Sequence, residues 1–293
     1  MGPFAELLLN AVVSGVLLGG FYAAVAVGVA ISFGMLDIPN LAHPAFVMLG
    51  AFASYELSTR LGLDPIVAGV LVSPLFFLLG MGVYHAYHHC FERRGDKPLQ
   101  GLAFFFGVMF ITEVLLVLIF GADYRSVDAA YIGPALQLGP VDLPTRMLVP
   151  FGVSLALIAG LQAFLTRTYL GRAILAVSQD QMALRLMSIS PYRTKLFAFA
   201  LSIATGAIAG ALMIVIQPVE PSLGRDFIGR TFAVVVLGGM GSLPGMLVAA
   251  ILLGVAESLT STLYDPSLAP AIAFGFLLPA LALRGGGPLG RSA

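Results

Sequence analysis

Three histidines and a cysteine, His85, His88, His89 and Cys90, are the densest group of metal-binding side chains in the sequence. Spacings of three and four residues put the imidazoles on one side of a helix, and imidazole with thiolate suits zinc. The same spacing fits the polar end of a helix at a membrane interface, beside Phe91-Glu92-Arg93-Arg94. We assign no metal to the chain. Glu113 and Glu257 lie inside apolar runs, where a carboxylate is costly and turns towards protein or a cavity. Each either lines a pathway or hydrogen-bonds between packed helices. Asn40 and His43 flank the start of another apolar segment at Pro44, where Asn40 also has the chemistry of a helix cap. Glu220, between Pro218 and Pro221, reads as a solvated turn.

Some chemistry is missing. The chain has two lysines, Lys97 and Lys195, and neither sits in a G-x-x-x-x-G-K-[ST] phosphate loop. An ATP-driven role would therefore need a nucleotide-binding partner. H-E-x-x-H and G-x-S-x-G are absent too, which weakens an intramembrane hydrolase.

The elements that position these residues follow from composition. Of 293 residues, 59% are apolar and 10% are charged, against roughly 25% charged in soluble chains. With a mean hydropathy of +0.97, this is an integral membrane protein, not a secreted disulfide scaffold, a nucleic-acid binder or a disordered tail. Fifteen basic and fifteen acidic residues cancel, so no polybasic anchor is implied. A single cysteine forms no internal disulfide. The first apolar stretch lacks a basic leader and outruns a signal core, so it is expected to be a retained span.

A crossing takes about 20 apolar residues. The candidates are Leu7–Gly34, Pro44–Leu57, Ile66–His89, Gly101–Phe120, Leu148–Thr166, Leu196–Gln217, Phe227–Leu237, Pro244–Leu263 and Ala269–Leu283. The expected fold is all-α: one polytopic bundle over residues 1–293, with eight or nine spans and interrupted helices. Gly19-Gly20 is a place where the first segment tilts, kinks or divides. Phe227–Leu237 is too short to span alone and runs into the breaker cluster Gly238–Gly245. Irregular backbone at membrane depth needs protein or a watery cavity beside it. Pro44 and Pro244 each stand at the mouth of a helix, a weak internal echo of the kind transporters carry at binding sites.

Ten basic residues (Arg93, Arg94, Lys97, Arg167, Arg172, Arg185, Arg193, Lys195, Arg284 and Arg291) fall on one side, and Arg60, Arg125, Arg146, Arg225 and Arg230 on the other. The richer side is assigned to the cytoplasm. Residues 121–146 form an outer loop, and 166–195 form a cytoplasmic loop. The middle of that loop, Arg172–Met187, lacks Gly and Pro and reads as one helix bounded by Gly171 and Pro191.

Four ordered blocks resemble the branched-chain amino-acid ABC transporter permeases of the leucine/isoleucine/valine type. Ser14-Gly15-Val16-Leu17-Leu18-Gly19-Gly20-Phe21-Tyr22-Ala23 is similar to that family's G-x-x-x-G-x-x-Y-A. Asn40-Leu41-Ala42-His43 with Met48-Leu49-Gly50-Ala51-Phe52 resembles N-x-A-H-G-x-x-x-M-x-G-A-Y. Leu170-Gly171-Arg172-Ala173 with Asp180 resembles G-R-A-x-R-A-x-x-x-D, and Leu237–Gly245 with Gly254–Glu257 resembles L-G-G-x-G-S-x-x-G…G-x-x-E. Pro44 replaces the usual glycine, Ile174-Leu175 stands where a basic residue is common, and Ser188 replaces a glycine.

The resemblance implies a permease subunit in a bacterial or archaeal cytoplasmic membrane, surrounded by lipid, with no nucleic acid bound. Its partners would be a second permease chain, two cytoplasmic ATPase chains that carry the ATP and Mg, and an outer substrate-binding protein. No cofactor belongs to this chain. Gly171, Arg172, Asp180 and Arg185 would couple to the ATPase. Tyr22, Asn40, His43, Glu113, Gly239, Gly241, Ser242 and Glu257 would line the path or its gate. A self-contained secondary transporter or channel is the alternative, and a metal-using intramembrane enzyme a third class.

Overall fold

A computed structural model describes residues 2–95, 98–129, 131–138, 141–177, 179, 181–186, 188–268, 271–276 and 278. The helices are α1 (Pro3–Val29), α2 (His43–Leu61), α3 (Pro65–Cys90), α4 (Pro98–Phe120), α5 (Thr145–Arg167), α6 (Tyr169–Val177), α7 (Gln181–Leu186), α8 (Pro191–Ile216), α9 (Asp226–Gly238) and α10 (Leu243–Leu263). A hairpin of β1 (Leu136–Leu138) and β2 (Val141–Leu143) lies between α4 and α5, with Gln137 opposite Asp142. Polar caps mark several helix starts. Asp64 accepts from the backbone N–H groups of Ile66 and Val67, Ser190 from Arg193, and Ser242 from Gly245.

Two helices form the axis of the bundle. The apolar lengths of α1 and α8 are enclosed on nearly all sides, while α3, α4, α5 and α10 each bury one side. α8 packs against α2 and α3; α1 packs against α10 and α5. The hairpin marks one end of the bundle: the Asp142 N–H donates to Asn10 Oδ1 (2.8 Å), and Arg125 pairs with Val219 beyond α8. Arg93, Arg167, Arg172, Arg185, Arg193 and Lys195 lie at or near the opposite, basic end, where α3 and α5 finish and α8 begins.

Six helices among the described residues are long and apolar enough to cross a membrane, fewer than the eight or nine expected. The difference has physical causes. α2 occurs where expected but carries Ser54, Glu56, Ser58 and Arg60, the last paired with Glu56. α9 has 13 residues, about 20 Å of helix against a core of about 30 Å. The ninth segment lies largely outside the described residues.

Nor does the first segment divide at Gly19-Gly20. α1 runs through it unbroken and ends in a π-helical turn, Ala30–Met35. Gly15 and Gly19 are packing positions instead. A Cβ at Gly19 would lie 2.5 Å from Ile251 Cα, and one at Gly254 would lie 2.5 Å from the Gly15 carbonyl. This small-xxx-small spacing lets two backbones meet where lipid offers no hydrophobic drive.

The cytoplasmic helix expected over Arg172–Met187 is two helices, α6 and α7. The chain turns at Gln179, whose N–H reaches the Ala176 carbonyl (3.1 Å). Gly171 does not bound α6 but lies within it, pressed against Phe164 and Leu165 of α5. Ser188 closes α7 at φ +60, a left-handed conformation that costs a non-glycine residue about 1–2 kcal/mol.

We expect Gly19→Leu to abolish close α1–α10 contact and remove the monodisperse peak from size-exclusion chromatography in detergent. Gly152→Leu, where nothing lies within 4 Å of the added carbon, should elute normally. A normal G19L profile would mean that the seam is not closely packed.

Candidate functional site

Tyr22, Arg230 and Glu257 meet where α1, α9 and α10 converge. Tyr22 donates its hydroxyl to Glu257 Oε2 at 2.5 Å, and Arg230 Nε donates to both carboxylate oxygens at 3.0 and 3.3 Å. The Glu257 side chain is 3% exposed and that of Arg230 14%, so neither charge is left to solvent. Arg230 also caps the Asp226 carbonyl and lies over the Phe227 ring at 5.3 Å. From this cluster a cavity of about 280 Å³ opens along Ser14, Leu18, Met147, Gln217, Ser258, Ser261 and Thr262. These residues belong to the hairpin-end halves of α1, α5 and α10 and to the end of α8, where Gln217 is the C-cap. Hydroxyls, an amide, an arginine and a carboxylate on one wall can bind both poles of a zwitterion. Leu18 and Met147 offer an apolar patch.

Two irregular stretches bring the chain to the middle of the bundle. Residues 36–42 turn back from the π-helical end of α1, with Ile38 N–H bonded to the Ser32 carbonyl, so α2 begins deep inside. His43, fully buried, touches Gly28 and Gly206 and holds the Val25 carbonyl through Nε2 at 3.1 Å. That partner makes Nε2 the donor. Asn40 accepts from the Ala42 N–H (3.2 Å), an Asx turn just before the helix rather than a cap on it. Asn40 Nδ2 and His43 Nδ1 are buried without a partner among the described residues. From the other end, Pro221–Arg225 dips in until Gly224 meets Pro44 and Met48.

Glu113 stands on a different flank. It holds Arg225 through two bonds, at 2.7 Å to Nε and 2.5 Å to Nη2, and Phe110 lies 4.9 Å beneath the guanidinium. The pair ties α4 to the dipping turn. Glu220 accepts from Ser222 within the same turn (2.8 Å).

Gly239, Gly241 and Ser242 form the α9–α10 turn at the basic end. Gly239 and Gly241 have φ +93 and +90, which only glycine adopts without strain. Gly238 and Gly245 press against one another across the turn, and Gly241 lies by Gly34. Gly241 and Ser242 line a cavity of about 210 Å³ with Met35, Gln162, Leu165, Thr166, Pro244 and Leu175 of α6. Arg172 on α6 is exposed, and Arg185 on α7 lines a separate cavity beside α3 and α8. Asp180 lies outside the described residues.

The histidines act at the end of α3. His85 Nδ1 meets Tyr192 OH at 2.8 Å, His88 Nδ1 meets Glu92 Oε2 at 2.8 Å, and His89 Nδ1 meets the His85 carbonyl at 3.2 Å. Cys90 is exposed. Glu92 also receives Lys195 Nζ (2.6 Å) and Tyr84 OH (2.8 Å), joining α3 to α8. Burial alone would raise the Glu92 carboxyl. Hydrogen bonds from Lys195 and His88, the Lys195 charge and the Tyr84 hydroxyl outweigh it and hold the group below its usual 4.5.

Sequence reasoning thus finds Tyr22, Glu113 and Glu257 but misses their cations. Arg225 and Arg230 were legible only as outer basic residues. The available signal was charge balance, since two stranded carboxylates in apolar runs require two cations near them.

A polytopic helical bundle with ion pairs at membrane depth, interrupted segments and polar cavities at both ends defines a multi-pass membrane transport protein. Comparison with known families refines the class. Residues 11–281 match the family described as branched-chain amino acid transport system / permease component, and the chain belongs to that family. It is 27% identical to the high-affinity branched-chain amino acid transport system permease protein BraD of Pseudomonas aeruginosa, over 97% of this chain and 96% of the relative. Identity to the corresponding protein LivH of Escherichia coli K12 is 26%, with the same coverage. LivM of the same organism is 29% identical over 81% of this chain and 61% of its own length.

We expect Glu257→Gln to lower the thermal midpoint in detergent. Neutralising a charge at membrane depth relieves about 3 kcal/mol on insertion scales, but stranding a buried partner costs about 3–5 kcal/mol. Glu257→Gln with Arg230→Gln should recover part of the loss. An unchanged midpoint in the single variant would mean that Arg230 does not depend on Glu257.

The Glu92 link has a pH signature. Its depressed value stabilises the fold fully above about pH 4.5, with the contribution lost as pH falls through the lower folded value. Stability should therefore drop on acidification below pH 4.5, and Glu92→Gln should flatten that drop. An equally steep acid profile in the variant would assign the transition to other carboxyls.

Proposed function

We propose that the chain is the permease subunit of an ATP-binding-cassette importer, passing branched-chain amino acids or a related small polar solute across a bacterial or archaeal cytoplasmic membrane. The observation that carries this reading is the Tyr22–Arg230–Glu257 cluster at the base of a polar cavity. Arg230 offers donors for a carboxylate, Glu257 accepts from an ammonium group, and Leu18 and Met147 offer apolar contact. The volume of about 280 Å³ sits near the low end of about 300–1,000 Å³ for small-molecule sites, which suits a solute of amino-acid size.

In this reading the solute enters from the hairpin end, supplied by an outer binding protein. It leaves past Gly241 and Ser242, with Asn40 and His43 between the two. A second permease chain completes the path, and the relatives named LivH and LivM support such a pair. Two ATPase chains hold ATP and Mg and push on the basic end. α6 is the contact we favour. It exposes Arg172, packs Gly171 on α5, and places Leu175 against the cavity of Gly241 and Ser242.

The test is uptake of labelled leucine by vesicles containing the chain, its sister permease, the ATPase chains and the binding protein. Uptake should require ATP. Uptake driven by an ion gradient without ATPase chains would overturn the assignment. Arg172→Glu should leave the permease folded but weaken ATPase co-purification and leucine-stimulated hydrolysis. Exposed ion pairs contribute about 1 kcal/mol or less, so the loss should be partial and should vary with salt. Unchanged stimulation would place the coupling surface elsewhere.

A further inference from the structure

We infer that the cavity between α3, α7 and α8 at the basic end binds the phosphate headgroup of an anionic phospholipid. The cavity has a volume of about 510 Å³ and is lined by Arg93, Arg185, Lys195, His88, Glu92 and Tyr192, among others. Its charges do not cancel. Lys195 and His88 are both engaged by Glu92. Arg93 and Arg185 have no carboxylate partner among the described residues. Two guanidinium groups therefore face a polar hollow with net positive charge, and their planar donor forks match a phosphate.

The geometry points to a lipid rather than a soluble anion. On α3, Leu71, Leu75, Leu78, Gly82, His85 and His89 follow one another at spacings of four and three and are all exposed. They form a single outward stripe whose apolar part belongs against acyl chains. The stripe turns polar at His85, whose ring is bonded to Tyr192 on the cavity wall. An acyl chain lying on Leu71, Leu75 and Leu78 thus leads its headgroup to the cavity mouth. Basic pockets between helices at this membrane level are the usual headgroup sites, and tyrosine is enriched at that depth. The partly buried Tyr84–Glu92–Lys195 network at the cavity wall fixes the end of α3 against α8.

The experiment is native mass spectrometry of the full chain, delipidated and then titrated with phosphatidylglycerol or phosphatidylcholine, with thermal shift in parallel. Phosphatidylglycerol should be retained and should raise the midpoint, with phosphatidylcholine doing neither. Arg93→Gln with Arg185→Gln should weaken retention about thirtyfold, from about fivefold per cation near a membrane surface. Arg93→Lys with Arg185→Lys should restore most of it, which separates charge loss from misfolding. Equal retention of the two lipids, or wild-type retention in the double glutamine variant, would overturn the inference. Inorganic phosphate shifting the midpoint as far as phosphatidylglycerol would assign the cavity to a soluble anion instead. A double glutamine variant that keeps its lipid but loses the ATPase chains on co-purification would make it a protein socket.

Discussion

A carboxylate enclosed by apolar helices must find its counter-charge inside the bundle, and Glu257 finds it in Arg230. Much of the arrangement around α9 depends on that meeting. α9 is too short to cross, so its start has to be held at depth by something other than length. Arg230 does this by binding α10, while Phe227 packs edge-on to Phe21 at 5.8 Å and to Tyr22 at 6.2 Å. The turn leading into α9 is held in turn by Arg225 on Glu113 of α4. Two ion pairs five residues apart in sequence thus suspend one interrupted segment between opposite flanks. A buried pair such as Arg230–Glu257 adds little net stability over a well-packed apolar replacement, and Arg225 is half exposed. The Arg230–Glu257 pair places charge beside a cavity.

Close backbone approach supplies the complementary constraint. Gly15, Gly19 and Gly254 let α1 and α10 touch, and this brings Tyr22 within reach of Glu257. Side chains on a helix lean towards its N-terminus. Because α1 and α10 run in opposite directions, Tyr22 leans towards the hairpin end and Glu257 towards the basic end. They meet although their Cα atoms lie at different levels. Gly50 performs the same service against Ala207, holding α2 to the central helix α8.

Much of this was legible in the sequence. The apolar runs locate α3, α5, α8 and α10, while Asp64, Pro144, Ser190 and Ser242 start these helices one to five residues before the runs begin. Gly238–Gly245 announces its turn because four glycines, a serine and a proline within eight residues break a continuous helix. Hydropathy is silent on depth, however. It cannot distinguish a crossing from a helix that starts at mid-bundle, so α2 reads as an ordinary span, whereas the shortness of Phe227–Leu237 already sets α9 apart. It also gives no warning that Gly19-Gly20 packs rather than bends, because both uses need the same residue. In the cytoplasmic loop the absence of Gly and Pro suggested continuity, yet the chain turns at Gln179 and closes at Ser188 in a left-handed conformation. Composition permits a helix there without requiring one. Arg225 and Arg230 were hidden for a related reason. Arginine near a span end reads as interfacial until its carboxylate is located.

Two cavities lie at opposite ends of the bundle. One opens beside Tyr22 and Glu257 towards the hairpin end, the other beside Gly241 and Ser242 at the basic end. Between them lie the two stretches that enter from opposite ends and meet at Pro44 and Gly224. Irregular backbone at such depth is tolerated where protein or water satisfies its polar groups. Asn40 Nδ2 and His43 Nδ1 still await a partner among the described residues. The lower cavity also includes Leu175 of α6. α6 therefore meets the cavity beside the α9–α10 turn, and α9 carries Arg230 from that turn to the floor of the upper cavity. In this arrangement the same short helix that is too small to span the membrane connects the two cavities.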